Sequence, residues 1–333
     1  MFAAGGWHHG GVRYRLAACE AMARNGCRGR NTILGLSAIL LWSVTVALAR
    51  TISEGVGPTM AGAAVYLTAA VFLAGDLSLK EGSFKRLLGL PRRYVIGCGA
   101  LFVFYTLALF LALGLAASRR QTIEVGLLNY LWPMLTILFS LIILGQKARV
   151  GLIPGTLLAL VGVFLVVTQG TTVSWDSFSG NVWSNPVAYG LAAFAAIAWA
   201  LYSNLTCRWG PPNSRGAVLL FTLVTGLSFV LLRLLRPEAS AWSIRVVAEI
   251  AVLALATAVA YVFWDIAMRE GDVALVASCS YLTPFLSTVV SCLYLRVLPG
   301  ASLWFGCLLI IAGSFWSWRS VRPAPGEIPQ PIR

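Results

Sequence analysis

Y-L-W-P-M-L at 130–135 returns as Y-L-T-P-F-L at 281–286, position 281 minus position 130 giving an offset of 151 residues. The same offset, without a gap, carries Ser140 onto Ser291, Leu144 onto Leu295, Gly155 onto Gly306 and Gly162 onto Gly313. Self-similarity at a fixed interval marks a chain built of like units, here two. The residues between say what each half is made of. Of 333 residues, 59% are hydrophobic and 11% charged, against roughly a quarter charged in a soluble domain. Crossing the hydrocarbon core takes about 20 mostly apolar residues in a helix. Such runs follow one another at 32–50, 58–75, 93–117, 121–144, 151–169, 186–206, 215–235, 246–268, 273–295 and 301–318. Five helices per half is an odd number, so the second half crosses in the opposite sense from the first. The expected fold is an all-α membrane protein of ten transmembrane helices, arranged as two inverted five-helix repeats.

Charge sets the orientation. Ten spans put both termini on one side, and that side collects 18 of the 25 Lys and Arg residues, leaving 7 for the other. The positive-inside rule then places both termini in the cytoplasm, and the stretch from Thr171 to Asn185, which holds no Lys or Arg, fits the outside. The net charge of +13 is spread over short loops rather than gathered in a patch, which argues for membrane topology and against nucleic acid. The domains follow: a disordered basic tail at 1–31, a first repeat at 32–170, an outside loop at 171–185, a second repeat at 186–319 and a disordered tail at 320–333. Residues 1–30 lack an apolar core long enough for a cleavable signal peptide, and Met22, followed by the basic run Arg24 to Arg30, is an alternative start. The seven cysteines (19, 27, 98, 207, 279, 292 and 307) show neither C-x-x-C nor zinc spacing and read as reduced packing residues. The two histidines, His8 and His9, lie at the N-terminal end, which excludes a buried histidine metal site or proton relay.

An inverted repeat lets two halves exchange conformations and so open a central cavity to either side in turn. Pro133 and Pro284, at equivalent positions in mid-span, each free a backbone carbonyl and bend the helix, marking gating points beside a cavity or else packing kinks. Aromatics with a polar edge recur at matching depths: Trp42 against Trp199 and Tyr202, Tyr105 against Trp264, and Tyr130 with Trp132 against Tyr281. Buried N–H and O–H groups need partners, which a cavity or core packing provides. Trp183, Trp209, Trp242, Trp316 and Trp318, near helix ends, read as interfacial anchors. Glu124, in the first turns of its helix, is a site for an amine or a proton, or a partner of Arg119 or Arg120. Asp265 lies four residues before Arg269, the spacing of a helical ion pair. Asn129 and Asn204 can address a zwitterion or a neighbouring helix. No Lys or Arg lies deep in a span, which argues against a multiply anionic solute. The runs Ala61 to Ala64 and Gly97 to Ala100, with Gly155 and Gly162, provide flat packing faces. The chain has no Ser-His-Asp set, no metal cluster and no P-loop, so neither hydrolysis nor ATP-driven pumping within it is expected.

Q-T-I-E-V-G-L-L-N-Y-L-W-P from Gln121 to Pro133, L-W-S at 41–43, S-E-G-V-G-P at 53–58 and G-Q-K at 145–147 carry a resemblance. With the two five-helix halves, they resemble the drug/metabolite transporter superfamily of EamA type and, within it, bacterial aromatic amino-acid exporters. The likeness runs from near Thr32 to about Trp318. It implies export of aromatic and other neutral amino acids across the bacterial inner membrane. It also implies a central cavity lined by helices 1, 3, 4, 6, 8 and 9, with Trp42, Tyr105, Asn129, Tyr130, Trp132, Trp199, Tyr202, Trp264 and Tyr281 at or near the path. The expectation is then a non-enzymatic transporter without cofactor, working as a monomer in the lipid bilayer on a small-molecule substrate by facilitated alternating access. The rivals are a broad exporter of amphipathic drugs or metabolites, with or without proton coupling, and, more remotely, a membrane-embedded lipid enzyme.

Overall fold

A computed structural model of the chain describes residues 28–81, 87, 89–168, 175–211, 216–295 and 300–322. Most of both expected disordered tails, 1–27 and 323–333, lies outside the described residues. The described part is almost wholly helical. Helix α1 (28–43) passes through a single turn residue, Val44, into α2 (Thr45–Val56). The chain then reverses at Gly57, whose φ of 84° belongs to the left-handed region. That conformation favours glycine, and a Cβ there would also stand 2.5 Å from Glu238 Oε2. Pro58 opens α3 (Pro58–Glu81), where a missing N–H costs nothing.

A π-helical turn, Arg93–Cys98, leads into α4 (Gly99–Leu115). Next come α5 (Arg119–Asn129), N-capped by Ser118 Oγ accepting from Gln121 N at 3.1 Å, and α6 (Trp132–Ile143). Helix α7 (Leu152–Val167) closes the first half. The second half runs through α9 (Pro186–Trp209), α10 (Ala217–Leu235), α11 (Ile244–Glu270), α12 (Val273–Cys279), a 3-10 turn at Ser280–Leu282, α13 (Thr283–Leu295) and α14 (Ala301–Arg319). Between the halves stands α8 (Trp175–Ser184), where the sequence suggested a loop. Residues 28–31, assigned to the disordered tail, are helical, and Val321–Arg322 pairs as a short strand with Lys147–Ala148.

Eight helices among the described residues are long and apolar enough to cross a membrane, and Leu152–Val167 is a shorter apolar helix. The first expected span is the α1–α2 stretch, interrupted at Val44. The outer faces are apolar: Leu157, Val161 and Phe164 on α7, and Leu308, Ile311 and Phe315 on α14, are all exposed. Such a surface belongs in lipid, and the chain is a multi-pass membrane protein. Trp183, Trp242 and Trp316 are exposed near helix ends, as expected of interfacial anchors.

Glycines bring α7 and α14 into backbone contact. A Cβ on Gly162 would stand 2.6 Å from Gly306 O, one on Gly306 2.8 Å from Gly162 O, and one on Gly313 2.4 Å from Ala159 N. Thr156 and Ser317 hydroxyls meet at 3.0 Å across the same seam. Gly155 and Gly306, like Gly162 and Gly313, are the repeat equivalents, so the two halves join through matching helices.

Candidate functional site

Near the middle of the bundle lies a cavity of ≈ 320 Å³, within the range of about 300–1,000 Å³ usual for small-molecule sites. Its walls come from α1 to α4, the α5–α6 break, α9, α10, α11 and the start of α13. They are made mostly of aromatic and aliphatic side chains, and none of the described lining residues is Asp, Glu, Lys or Arg. Helices α3 and α10 contribute Tyr66 and Phe229, which widens the lining beyond the six expected helices.

Six of the nine residues singled out in the sequence line this space: Trp42, Tyr105, Asn129, Tyr130, Trp132 and Trp199. The Trp199 ring organises them, standing 4.6 Å from Tyr105, 5.6 Å from Trp42 and 6.3 Å from Trp132, centroid to centroid. The other three are not on the wall. Tyr202 is fully buried behind Trp199 and Phe102, at 5.0 and 5.5 Å. Trp264 backs Trp42 and Trp132 at 5.1 and 5.5 Å, and its Nε1 donates to Ser203 Oγ at 3.2 Å. Tyr281 is buried in a separate cluster with Ala159, Val163 and Ile310.

Tyr66 and Tyr261, whose hydroxyls meet at 2.8 Å, complete the aromatic wall, and Thr106, Thr257, Thr283 and Ser287 add hydroxyls. Thr257 and Tyr261 share one face of α11 by their i, i+4 spacing, a signal the sequence carried. Tyr66 had no such mark, following a run of small residues that reads as packing.

Both prolines stand just beyond a local interruption of the helical ladder. At 130–131 the helix stops, and Pro133 stands in the first turn of α6; at 280–282 it tightens into a 3-10 turn, and Pro284 is the second residue of α13. A proline fits a first helical turn because no intrahelical partner awaits its N–H. Neither offers a donor to the carbonyl four residues earlier, Asn129 and Ser280 respectively. Both breaks therefore place polar backbone at mid-span, one of them on the cavity wall.

Glu124 is fully buried but does not line the cavity. It accepts from Asn181 Nδ2 at 3.1 and 3.2 Å and from the Tyr189 hydroxyl. Asn204 Nδ2 donates to Thr136 O and Ala200 O, both at 2.9 Å, a helix-to-helix use. Asp265 pairs with Arg269 at 2.7 Å as its spacing suggested, and also accepts from the Tyr94 hydroxyl at 2.7 Å.

Below the cavity, Phe102, Tyr202 and Trp264 form a buried aromatic layer, and the Tyr94–Asp265–Arg269 cluster lies beyond it toward the C-terminal end of α11. Toward the other end the lining continues through Ser53, Pro58 and Leu113, at the α2–α3 turn and the end of α4. The cavity thus reaches one end of the bundle and is stoppered toward the other.

Comparison with known proteins bears on this arrangement. The profile of the EamA-like transporter family matches residues 30–168 and 183–319. The chain is 37% identical over 296 residues to the aromatic amino acid exporter YddG of Escherichia coli (strain K12), covering 89% of this chain and 99% of the relative. It is 36% identical over 292 residues to the protein of the same name from Salmonella typhimurium, covering 87% and 97%. A solved crystal structure superimposes with a TM-score of 0.74 at 28% identity, covering 87% of this chain and 97% of the other.

Proposed function

Because the chain belongs to the EamA-like transporter family, we propose that it exports aromatic and other neutral amino acids across the bacterial inner membrane by alternating access. The observation that carries this reading is the cavity: aromatic walls, a few polar groups, and no charged side chain among its described lining residues. Aromatic faces suit an aromatic side chain and offer an ammonium group a cation–π contact. Relatives named aromatic amino acid exporters point the same way.

The ten-span inverted topology is supported by which loop ends meet. Ends assigned to the cytoplasm touch one another: Asn31 donates to Glu270 at 3.0 Å, Asp272 N to Thr32 Oγ1 at 2.9 Å, and Arg149 N to Ser320 O at 2.8 Å. Ends assigned to the outside do likewise: Thr59 with Glu238, Ser240 with Val56 O at 2.6 Å, and Asn185 with Leu115 O at 2.8 Å. Residues 32–170 and 186–319 are then the two repeats, both termini are cytoplasmic, and the cavity opens outward with the aromatic layer as inner stopper. The breaks before Pro133 and Pro284 are the bending points for the inward-open form. With no carboxylate among the described wall residues, movement is facilitated rather than proton-driven, and one copy of the chain suffices to enclose the path.

Uptake of labelled tryptophan into proteoliposomes tests the reading. The parent chain is expected to move tryptophan faster than an unrelated neutral solute, and Trp132→Ala and Tyr130→Ala to slow it at least tenfold. Equal movement of both solutes, or variants as fast as the parent, overturns the proposal. The mostly apolar lining also suits amphipathic drugs; competition favours that second reading if a dye displaces tryptophan while phenylalanine does not.

A further inference from the structure

Three buried polar atoms on residues bordering the cavity have no hydrogen-bond partner among the described residues: Asn129 Oδ1, Thr283 Oγ1 and Ser287 Oγ. A hydroxyl in a helix ordinarily turns back onto the carbonyl four residues earlier. Thr288 does so onto Pro284 O at 2.8 Å, Ser280 onto Val276 O at 2.7 Å, and the cavity-lining Thr106 onto Phe102 O at 3.1 Å, whereas Ser278, off the cavity, does not. Thr283 and Ser287, one turn apart on α13, do not. A buried polar group without a partner is unfavourable, and the arrival of a ligand group removes that penalty.

The internal repeat sharpens the contrast. The offset of 151 carries Trp132 onto Thr283 and Thr136 onto Ser287. In the first half, the indole of Trp132 stands on the wall and Thr136 is spent on Trp132 O at 2.7 Å. The second half presents two unspent hydroxyls at the matching positions. The halves are related in sequence, yet they have diverged where they meet the cavity, one aromatic and the other polar.

We propose that Asn129, Thr283 and Ser287 form the subsite for the charged head of a zwitterionic amino acid. The two hydroxyls donate to its carboxylate, and Asn129 Oδ1 accepts from its ammonium group; the side chain is left to Trp42, Tyr105 and Trp199. This inference rests on the amino-acid reading above. Neutral dipoles suit an exporter, because they satisfy a zwitterion's hydrogen bonds without the deep trap that a buried opposite charge would create.

Counterflow of labelled phenylalanine by the full chain in proteoliposomes provides the test, with three unlabelled competitors: phenylalanine, phenethylamine, which lacks the carboxylate, and 3-phenylpropanoate, which lacks the ammonium group. A hydrogen bond to a charged group is worth about tenfold in affinity or more. Thr283→Val and Ser287→Ala are each expected to weaken competition by phenylalanine and 3-phenylpropanoate about tenfold and leave that by phenethylamine in place. Asn129→Leu is expected to weaken phenylalanine and phenethylamine but not 3-phenylpropanoate. Thr283→Ser, which returns the hydroxyl, restores the carboxylate preference; should Thr283→Val not fold, Ser287→Ala carries the measurement. If all three competitors shift together in every variant, or none shifts, the subsite is overturned and the exporter reading stands. A parent chain that moves neither phenylalanine nor tryptophan overturns both.

Discussion

Asp265 and Arg269 are held with side-chain exposures of 1% and 2%, and each Asp265 oxygen is used. Oδ1 accepts from the Tyr94 hydroxyl at 2.7 Å, and Oδ2 from Arg269 Nε and Nη2 at 2.9 and 2.7 Å. Removing one partner of a buried pair strands the other charge. Arg269→Met is therefore expected to lower stability by about 3–5 kcal/mol, while Asp265→Asn together with Arg269→Met recovers most of it; thermal unfolding in detergent reads both. The i, i+4 spacing made this pair legible in the sequence. Tyr94, 171 positions away, was not, because a local pattern carries no information about which distant hydroxyl arrives. Glu124 shows the same limit more sharply. Beyond the local candidates Arg119 and Arg120, nothing in the local pattern pointed to the donors Asn181 on α8 and Tyr189 on α9. Glu124 stands off the cavity, so Glu124→Gln is expected to leave tryptophan movement within about twofold of the parent, a change far smaller than the loss of one charge-assisted hydrogen bond to the substrate would give. A tryptophan-linked proton flux that disappears in this variant would reverse the conclusion on coupling.

Among the elements, the α7–α14 seam and the interrupted helices behave differently under sequence reading. Gly155, Gly162, Gly306 and Gly313 were marked by the repeat and by small-residue packing, and they do bring the two halves into backbone contact. Gly162→Ala pushes a methyl group against a backbone carbonyl 2.6 Å away, which cannot yield as a side-chain tip can. A loss of about 1–3 kcal/mol is expected. Gly126→Ala on α5, where a Cβ meets nothing within 4 Å, serves as the control and costs nothing, since alanine is the better helix former. Unfolding midpoints of the two variants make the comparison. The form of the helix interruptions beside the two prolines was not legible, because apolar character runs straight through residues 130–133 and 280–284. Hydropathy reports burial and is blind to where a hydrogen-bond ladder stops. Helix α8 was missed for the opposite reason: ten residues are too few to span a membrane, and the absence of Lys and Arg spoke only to its side.

For the whole molecule, membrane class and the succession of apolar helices were legible because about 20 apolar residues in a row have few other uses. The cavity was legible only in outline. Depth along a span can be counted in residues, but the direction a side chain takes around its helix depends on how neighbours pack. Tyr202, Trp264 and Tyr281 accordingly lie behind the wall, while Tyr66 and Tyr261 stand on it. Single cysteines placed in the Lys147 loop and near Ser320, in a background lacking the native ones, are expected to react with an impermeant thiol reagent from the cytoplasmic side alone. One placed near Trp183 should react from outside. Opposite labelling of the first two would break the twofold arrangement of the proposed mechanism.

The absence of charged side chains among the described residues of the cavity wall has an electrical consequence. A membrane potential of 100 mV does about 2.3 kcal/mol of work on one moving elementary charge, but none on a dipolar ion of zero net charge carried past side chains that bear no charge themselves. A carrier working as proposed would be blind to voltage. A potassium diffusion potential imposed with valinomycin should leave the inside-to-outside tryptophan ratio at unity, and the cell's internal surplus alone would set the direction of flow.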